Sequence, residues 1–138
     1  GNTYGWITVV RQEATLFRDT LRNNLTLYRE MEDSALVDML RKVGLASLAN
    51  RAALDAMVED HGANFSGGEK KRICLARALL RNTEMLILDE PLANLDDETA
   101  GRIEALLLSI PDRTLLVVSH QFSEKNLARF DAVMELAG

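Results

Sequence analysis

Residues 64 to 90 constrain this chain most, because they combine the start of a helix with a strand that ends in two acids. Ser66 and Glu69 have the spacing of a capping box, in which each side chain accepts a hydrogen bond from an unpaired N–H at a helix start. Residues 85 to 90 read Met-Leu-Ile-Leu-Asp-Glu, a continuous apolar run followed by two carboxylates. Such a run is typical of a strand that is covered on both faces.

Further strands and helices alternate along the chain. Residues 6–10 and 114–118 have the apolar composition of buried strands, and residues 132–136 are predicted as a last strand. Helices are predicted at 20–42, 66–81, 96–110 and 123–129, with short helical pieces at 45–50 and 54–58. Within 20–42 the apolar residues form two spaced sets, one at Leu21, Leu25 and Tyr28 and the other at Leu36, Met39, Leu40 and Val43. Gly44 is the predicted end of the helix that contains the second set. Strands that alternate with helices predict a parallel α/β sheet.

Polar residues follow the predicted strands. Gln12, Asp89, Glu90 and His120 lie just past strand ends, and parallel sheets bind ligands at the carboxyl ends of their strands. Each residue also has a simpler interpretation, since an acid after a strand can belong to a turn or cap a helix, and a lone His or Gln is more often structural. The sequence predicts that these four side chains lie along one edge of the sheet.

The segment Ser66-Gly67-Gly68-Glu69 could bind a phosphate group. Glycines leave the N–H donors of the helix start uncovered, and the positive end of the helix dipole favours anions. A glycine pair is also a common turn, and the capping box explains Ser66 without any ligand. The basic residues that follow can be a mostly solvated face; they are Lys70, Lys71, Arg72, Arg77 and Arg81.

Composition excludes some classes of protein. With 47% hydrophobic and 27% charged residues, the chain can form one domain with a core. The formal net charge of −5 and the 5% of aromatic residues argue against a general affinity for nucleic acid. The longest apolar runs are far shorter than the roughly 20 residues that span a bilayer. We therefore expect no nucleic-acid partner and no membrane-crossing segment in these residues.

The order and the spacing of these motifs along the chain resemble those of the ATP-binding cassette (ABC) ATPases. Ser66 to Glu69 match the family signature, and residues 85–90 match its Walker B strand with the catalytic acid. Gln12 lies where the family has its Q-loop glutamine, His120 where it has its switch histidine, and residues 91–96 resemble its D-loop. The resemblance covers nearly the whole chain.

A subtype and a fold follow from the resemblance. Residues 12–17 and 20–25 look like those of exporter-type cassettes. The implied fold is that of a P-loop NTPase, a three-layer α/β domain with a parallel sheet and an inserted helical subdomain. Residues 1–18 and 82–138 would form the α/β core, and residues 19–81 the helical subdomain with the signature helix.

The resemblance also implies roles toward ATP and Mg²⁺. Asp89 would hold the hydrated Mg²⁺ with help from the Gln12 amide, Glu90 would accept the proton of the attacking water, and His120 would contact the terminal phosphate. The chemistry agrees, since Mg²⁺ prefers carboxylate oxygens and retained water, and a general base contributes roughly 10² to 10⁴ in rate. The residues implied to contact ATP held by a second nucleotide-binding domain are Ser66, Gly67, Gly68, Glu69 and Asp96, although Asp96 could equally be a helix cap.

One family element is absent from the sequence. The 138 residues contain no Gly-x-x-x-x-Gly-Lys-Ser/Thr, the Walker A loop that cradles nucleotide phosphates. We therefore predict an incomplete sheet, in which residues 6–10, 85–89 and 114–118 stay paired while residues 132–136 dock loosely, move or pair with another chain. We also expect the chain by itself to be inactive.

Three functions remain open from the sequence. The favoured one is a fragment of an exporter's ATPase domain on the cytoplasmic side of a membrane, with a transmembrane domain and a second nucleotide-binding domain as partners. Its parent protein would couple ATP hydrolysis to the export of a solute. The second is an ABC ATPase of DNA repair or chromosome maintenance, which salt-sensitive DNA binding would indicate. The third is a non-catalytic interaction module.

Overall fold

The sheet has three parallel strands in the order β1-β2-β3. A computed structural model describes residues 5–120, 122 and 124–134 of the chain. The strands are β1 (Ile7–Val10), β2 (Met85–Asp89) and β3 (Thr114–Val118). Parallel strands separated by helices confirm the predicted α/β class, and the three strands that were expected to stay paired do pair.

The strands differ in how far they are buried. β2 is central, and its Leu86 and Leu88 are fully buried. The prediction that β1 and β3 are buried strands is wrong, because each lies at an edge of the three-stranded sheet and packs on the core through one face only. On the other face, Val9 is 52% exposed and Leu116 is 44% exposed.

The part of the chain that is described contains six α-helices: α1 (Leu21–Thr26), α2 (Asp33–Lys42), α3 (Arg51–Leu54), α4 (Gly67–Leu80), α5 (Asp97–Leu108) and α6 (Glu124–Leu127), with 3-10 turns at Ala46–Leu48 and Asp60–Gly62. The starts of α4 and α5 are confirmed, since Ser66 and Asp96 cap them through their side chains. None of these helices has the length and apolarity that crossing a bilayer requires.

The predicted helical region 20–42 is divided in two. α1 ends at Leu27, where φ is 53°, and Tyr28 follows with φ 67°. This left-handed backbone stops a right-handed helix. Tyr28 is consequently exposed rather than part of the apolar set with Leu21 and Leu25. α2 ends as predicted, because Gly44 takes the left-handed conformation with φ 81°.

Two short predictions differ from the structure. The helical piece expected at 54–58 is α3, which begins earlier because the Asn50 side chain accepts a hydrogen bond from the N–H of Ala53. Residues 132–134 are irregular rather than a strand, since no neighbouring strand among the described residues supplies their backbone hydrogen bonds. Residues 135 and 136 lie outside the described residues, and whether this segment moves or pairs with another chain stays a prediction.

Residues 19–58, here called the helical segment, are closed at their base by backbone pairing. The N–H of Val58 donates to the carbonyl of Asp19 at 2.7 Å, and that of Leu21 donates to Ala56 at 3.0 Å. α1 and α2 both pack on α4, and α4 also contacts β1. α4 therefore joins the helical segment to the sheet edge that carries the candidate site.

Candidate functional site

Gln12 and Glu90 follow the neighbouring strands β1 and β2, at the edge of the sheet formed by the carboxyl ends of its strands. Val10 pairs with Leu88 in the register of β1 and β2, so Gln12 and Glu90 each lie two residues beyond this pair. Gln12 is exposed, and the loop that carries it runs from β1 toward the helical segment.

The backbone at Glu90 is held toward β3. Its N–H donates to the carbonyl of Val118 at 2.7 Å, and its φ of 49° is uncommon for a residue with a side chain. The Glu90 Oε1 lies 3.4 Å from the Nε2 of His120; the Glu90 side chain is 14% exposed and that of His120 is 90% exposed. A mostly buried carboxylate thus meets an exposed imidazole at the carboxyl edge, beside Asp89 at the end of β2.

Lys71 reaches this edge from α4, although its place in a basic run suggests no such role. Its Nζ donates to the backbone carbonyl of Gln12 at 3.4 Å, and the residue is only 7% exposed. Burial lowers the pKa of the Lys71 ammonium, and the carboxylates of Glu90 and Asp89 act in the opposite direction. The prediction that the basic run of α4 is a mostly solvated face is wrong at Lys71.

The periodicity of α4 contains the signal for this burial. Cys74, Leu75 and Ala78 lie three, four and seven positions after Lys71, and all three are buried. Residues with this spacing share one face of a helix. Lys71 therefore belongs to the core-facing row, and helical periodicity could have identified it.

Two arginines of the same basic run also donate hydrogen bonds to backbone carbonyls of the protein. Arg72 Nη1 donates to the carbonyl of Gly44 at 3.0 Å. Arg77 Nε donates to the carbonyl of Asn24 at 2.7 Å. These bonds attach α4 to the helical segment, so much of the basic run is structural.

The Ser66 to Glu69 turn forms the predicted capping box. The N–H of Glu69 donates to Ser66 Oγ at 3.1 Å, and the N–H of Ser66 donates to Glu69 Oε1 at 2.9 Å. A Cβ atom added at Gly67 would meet nothing within 4 Å, whereas one at Gly68 would lie 3.4 Å from Leu95 Cδ2. The turn therefore packs on the segment before α5 through Gly68 and borders open space at Gly67.

Asp96 acts as the cap of α5. Its Oδ1 accepts a hydrogen bond from the N–H of Thr99 at 2.7 Å, and this bond holds the pKa of Asp96 below its ordinary value, with a smaller contribution from Arg72. Asp96 and Arg72 also line a cleft of about 350 Å³ together with Arg41 and Arg102. The structural interpretation of Asp96 is satisfied whether or not it contacts a ligand.

The predicted site residues form two groups. The first, here called the acid edge, consists of Gln12, Asp89, Glu90 and His120. The second is the signature turn, residues 66–69, whose Gly68 lies against Asn94 and Leu95 rather than against the acid edge. Lys71 lies two residues after the signature turn, at the point where α4 reaches the acid edge.

The donors at the acid edge fit Mg²⁺. Asp89 and Glu90 offer carboxylate oxygens and Gln12 offers an amide oxygen, which are the ligands that Mg²⁺ prefers. Across residues 5–120, 122 and 124–134, no group of three or more His, Cys, Asp and Glu side chains could hold a metal ion by itself. Mg²⁺ is usually bound by one or two carboxylates with phosphate oxygens and water, and Asp89 and Glu90 can supply such carboxylates.

Comparison of the sequence with known proteins identifies the family of this chain and several similar proteins. The family model described as ABC transporter matches residues 3–93. The chain is 39% identical over 130 residues to the glutathione/L-cysteine transport system ATP-binding/permease protein CydC of Escherichia coli (strain K12), covering 93% of this chain and 22% of that protein. It is 37% identical over 123 residues to the ATP-dependent lipid A-core flippase of Photobacterium profundum, covering 85% of this chain and 21% of that protein.

Comparison of this fold with solved structures gives the same family as the comparison of sequences. A bacterial Atm1-family ABC exporter, solved with ATP bound, matches this fold with a TM-score of 0.73 and 27% sequence identity, over 83% of this chain and 21% of that one. The chain thus spans about a fifth of the length of these relatives.

Proposed function

This chain belongs to the ABC transporter family, and from that membership we propose that it supplies the catalytic acid and the signature turn of an ATP-hydrolysing domain. It is part of a nucleotide-binding domain of the exporter type, and domains of this family generally bind ATP and Mg²⁺. The observation that most supports the proposal is that the acid edge gathers its four residues at the carboxyl ends of three adjacent parallel strands.

Glu90 is the proton acceptor in this proposal. Its carboxylate is mostly buried and lies 3.4 Å from His120, so its orientation is restricted before substrate arrives. From this position it would accept a proton from the water that attacks the terminal phosphate, a role worth roughly 10² to 10⁴ in rate. The exposed imidazole of His120 would donate a hydrogen bond to that phosphate.

Asp89 and Gln12 are the proposed metal ligands. When bound, Mg²⁺ would neutralise charge on the phosphate oxygens. Asp89 supplies the carboxylate at the end of β2, and the exposed Gln12 can bring its amide oxygen to the same cation. The pairing of Val10 with Leu88 supports this assignment, because it places Asp89 one residue and Gln12 two residues beyond the same pair.

The signature turn is proposed to contact ATP that a second nucleotide-binding domain holds. Gly67 borders open space, and the start of a 14-residue helix attracts anions. The proposed contacts are Ser66, Gly67, Gly68 and Glu69, with Asp96 beside them. No nucleic-acid partner is proposed.

Two subdomains are part of the proposal. Residues 1–18 and 82–138 belong to the α/β core, and residues 19–81 to a helical subdomain that ends with α4. The backbone pairing of Asp19 with Val58 supports a boundary near residue 19. The packing of α1 and α2 on α4 supports grouping these helices together.

We infer that the whole protein couples ATP hydrolysis to solute export, with this chain on the cytoplasmic side and a transmembrane domain as partner. The exporter-type relatives support this over an ATPase of DNA maintenance. The chain alone is proposed to be inactive, since its 138 residues contain no phosphate-binding loop.

Two measurements test the proposal. Calorimetric titration of the chain with millimolar Mg-ATP and a phosphate-release assay should show neither binding nor turnover. Hydrolysis by the chain that disappears in Glu90→Gln would contradict the inactivity, because it would require a nucleotide site without Walker A.

A test of the role of Glu90 needs a complete nucleotide-binding domain, which can be made by joining this sequence to the Walker A portion of a relative. There Glu90→Gln should lower turnover by roughly 10² or more while ATP still binds. Glu84→Gln is the matched control, because Glu84 precedes β2 at the opposite edge of the sheet and should leave turnover nearly unchanged. Equal losses in both variants would refute the assignment.

A further inference from the structure

Lys70 and Lys71 are adjacent on α4 but lie in different surroundings. The Nζ of Lys70 is 3.5 Å from the carbonyl of His61, and Lys70 is partly exposed. Lys71 is 7% exposed, and its Nζ donates to the carbonyl of Gln12 at 3.4 Å. A buried ammonium destabilises a fold unless opposite charge and hydrogen-bond acceptors compensate for its lost hydration.

The compensating charges of Lys71 are at the acid edge. Glu90 is the stronger of the two carboxylates that favour its charged form, and Asp89 is the other. Neither acid forms a direct ion pair with Lys71 among the described residues. Their proximity follows from the sheet, because Lys71 binds the carbonyl of Gln12, and Gln12 lies level with Glu90 beyond the paired residues Val10 and Leu88. The attraction is weaker than in a salt bridge but stronger than in bulk water, since Lys71 and Glu90 are both mostly buried.

We propose that Lys71 is a positioning residue of the acid edge, whose ammonium partly neutralises Asp89 and Glu90 and fixes the Gln12 loop through its backbone carbonyl. The inference rests on the proposed function only in taking Asp89 as a cation ligand. With Lys71 in place, two like-charged carboxylates can stay close together while no divalent cation is bound.

A competition follows from this arrangement. A divalent cation that reaches Asp89 meets carboxylates whose charge Lys71 already reduces, so Lys71 weakens cation binding in the absence of phosphate. Because Lys71 lies on α4 two residues after the signature turn, a displacement of α4 would also change the field at the acid edge. The helix that begins with the signature turn is thereby connected to the metal ligands.

A double-mutant cycle in urea unfolding tests the interaction with Glu90. Lys71→Met removes the charge and keeps a long unbranched side chain, and Glu90→Gln removes the opposite charge. We expect the two changes to be coupled by roughly three- to tenfold in the unfolding equilibrium constant. The cycle of Lys70→Met with Glu90→Gln should show less than about twofold coupling, and Lys71→Arg should keep most of it.

Equal coupling in the Lys71 and Lys70 cycles would overturn the proposal. So would a Lys71→Arg chain that behaves like Lys71→Met, because the role would then depend on shape rather than charge. Circular dichroism of each variant confirms that the comparison is made between folded chains.

Binding of Mn²⁺, measured by electron paramagnetic resonance, gives a second readout. Lys71→Met should bind Mn²⁺ roughly three- to tenfold more tightly than the unmodified chain, Lys70→Met should not, and Asp89→Asn should abolish the gain. If the unmodified chain binds Mn²⁺ and Lys71→Met binds it no more tightly, the competition is refuted. If no variant binds Mn²⁺ without a nucleotide, the competition is refuted, and the double-mutant cycle still decides the positioning role of Lys71.

Discussion

Ser66 combines a structural role with a proposed functional one. Its hydroxyl accepts the hydrogen bond from Glu69 that starts α4, and the same side chain is a proposed contact for ATP. Lys71 shows a similar combination, because one ammonium both satisfies the Gln12 carbonyl and faces the acid edge. At the scale of single residues, loss of function in a variant must therefore be separated from loss of stability.

Ser66→Ala should lower the free energy of unfolding by about 1 kcal/mol, because α4 loses a side-chain cap. Ser66→Thr keeps a hydroxyl acceptor and should retain most of that stability. The control is Ser47→Ala in an exposed 3-10 turn, with an expected change below about 0.5 kcal/mol. Urea denaturation measures all three, and equal effects at the two serines would mean that the capping box is not stabilising.

At the scale of elements, ionic hydrogen bonds join the short helices of the helical segment. Arg22 of α1 donates to Asp33 at the start of α2 and to Asp55 after α3. The hydrogen bond from Arg22 holds the pKa of Asp33 below its ordinary value of 3.8. Because the folded chain binds the proton of Asp33 less readily than the unfolded chain does, deprotonated Asp33 stabilises the fold.

Asp33→Asn should flatten the dependence of stability on acid pH. The contribution of Asp33 is complete above about pH 4 and is lost as the pH falls through its lowered pKa. Thermal unfolding at pH values from about 5 to 2 should show a shallower fall of Tm in the variant. Asp38→Asn is the control, since Asp38 pairs with Lys42 on an exposed face of α2 and such pairs contribute little. An unchanged slope in Asp33→Asn would contradict the assigned role.

Elements with local signals could be predicted from the sequence, and those that depend on neighbours could not. α4 and α5 have capping side chains three residues from their N–H partners, and β2 has an uninterrupted apolar run, so all three are readable. The end of α1 is not, because Leu27 takes a left-handed conformation without a Gly or Asn. The burial of β1 and β3 depends on what covers the sheet, which the composition of a strand does not specify.

The candidate site divides in the same way. The rule that ligands bind at the carboxyl ends of parallel strands predicted the acid edge from residues in three separate stretches of the sequence. Lys71 was missed because three consecutive basic residues look solvated, although its spacing from the buried Cys74, Leu75 and Ala78 places it on the core-facing row of α4.

At the scale of the whole molecule, one face of the sheet is apolar and open among the described residues. Val9, Ile87 and Leu116 are neighbours in the register across the three strands. Val9 and Leu116 are exposed, whereas Leu88 on β2 is fully buried. An exposed apolar patch favours association with other surfaces.

Replacing Val9 and Leu116 together by Thr should reduce self-association and the binding of a hydrophobic dye. Thr suits strands, so stability should change by no more than about 1 kcal/mol. Leu88→Ala should instead cost about 2 to 5 kcal/mol, because it leaves a cavity in the core. Sedimentation, dye fluorescence and urea denaturation measure these effects. Unchanged dye binding in the double variant would show that this face is covered in solution.

The pairing of Asp19 with Val58 has a consequence for modularity. A segment whose two ends are joined by backbone hydrogen bonds can change in length between them while the elements on either side stay together. The helices between these two residues therefore form an insert within the domain. Changes within that insert would leave the register of the strands that carry the acid edge unaltered.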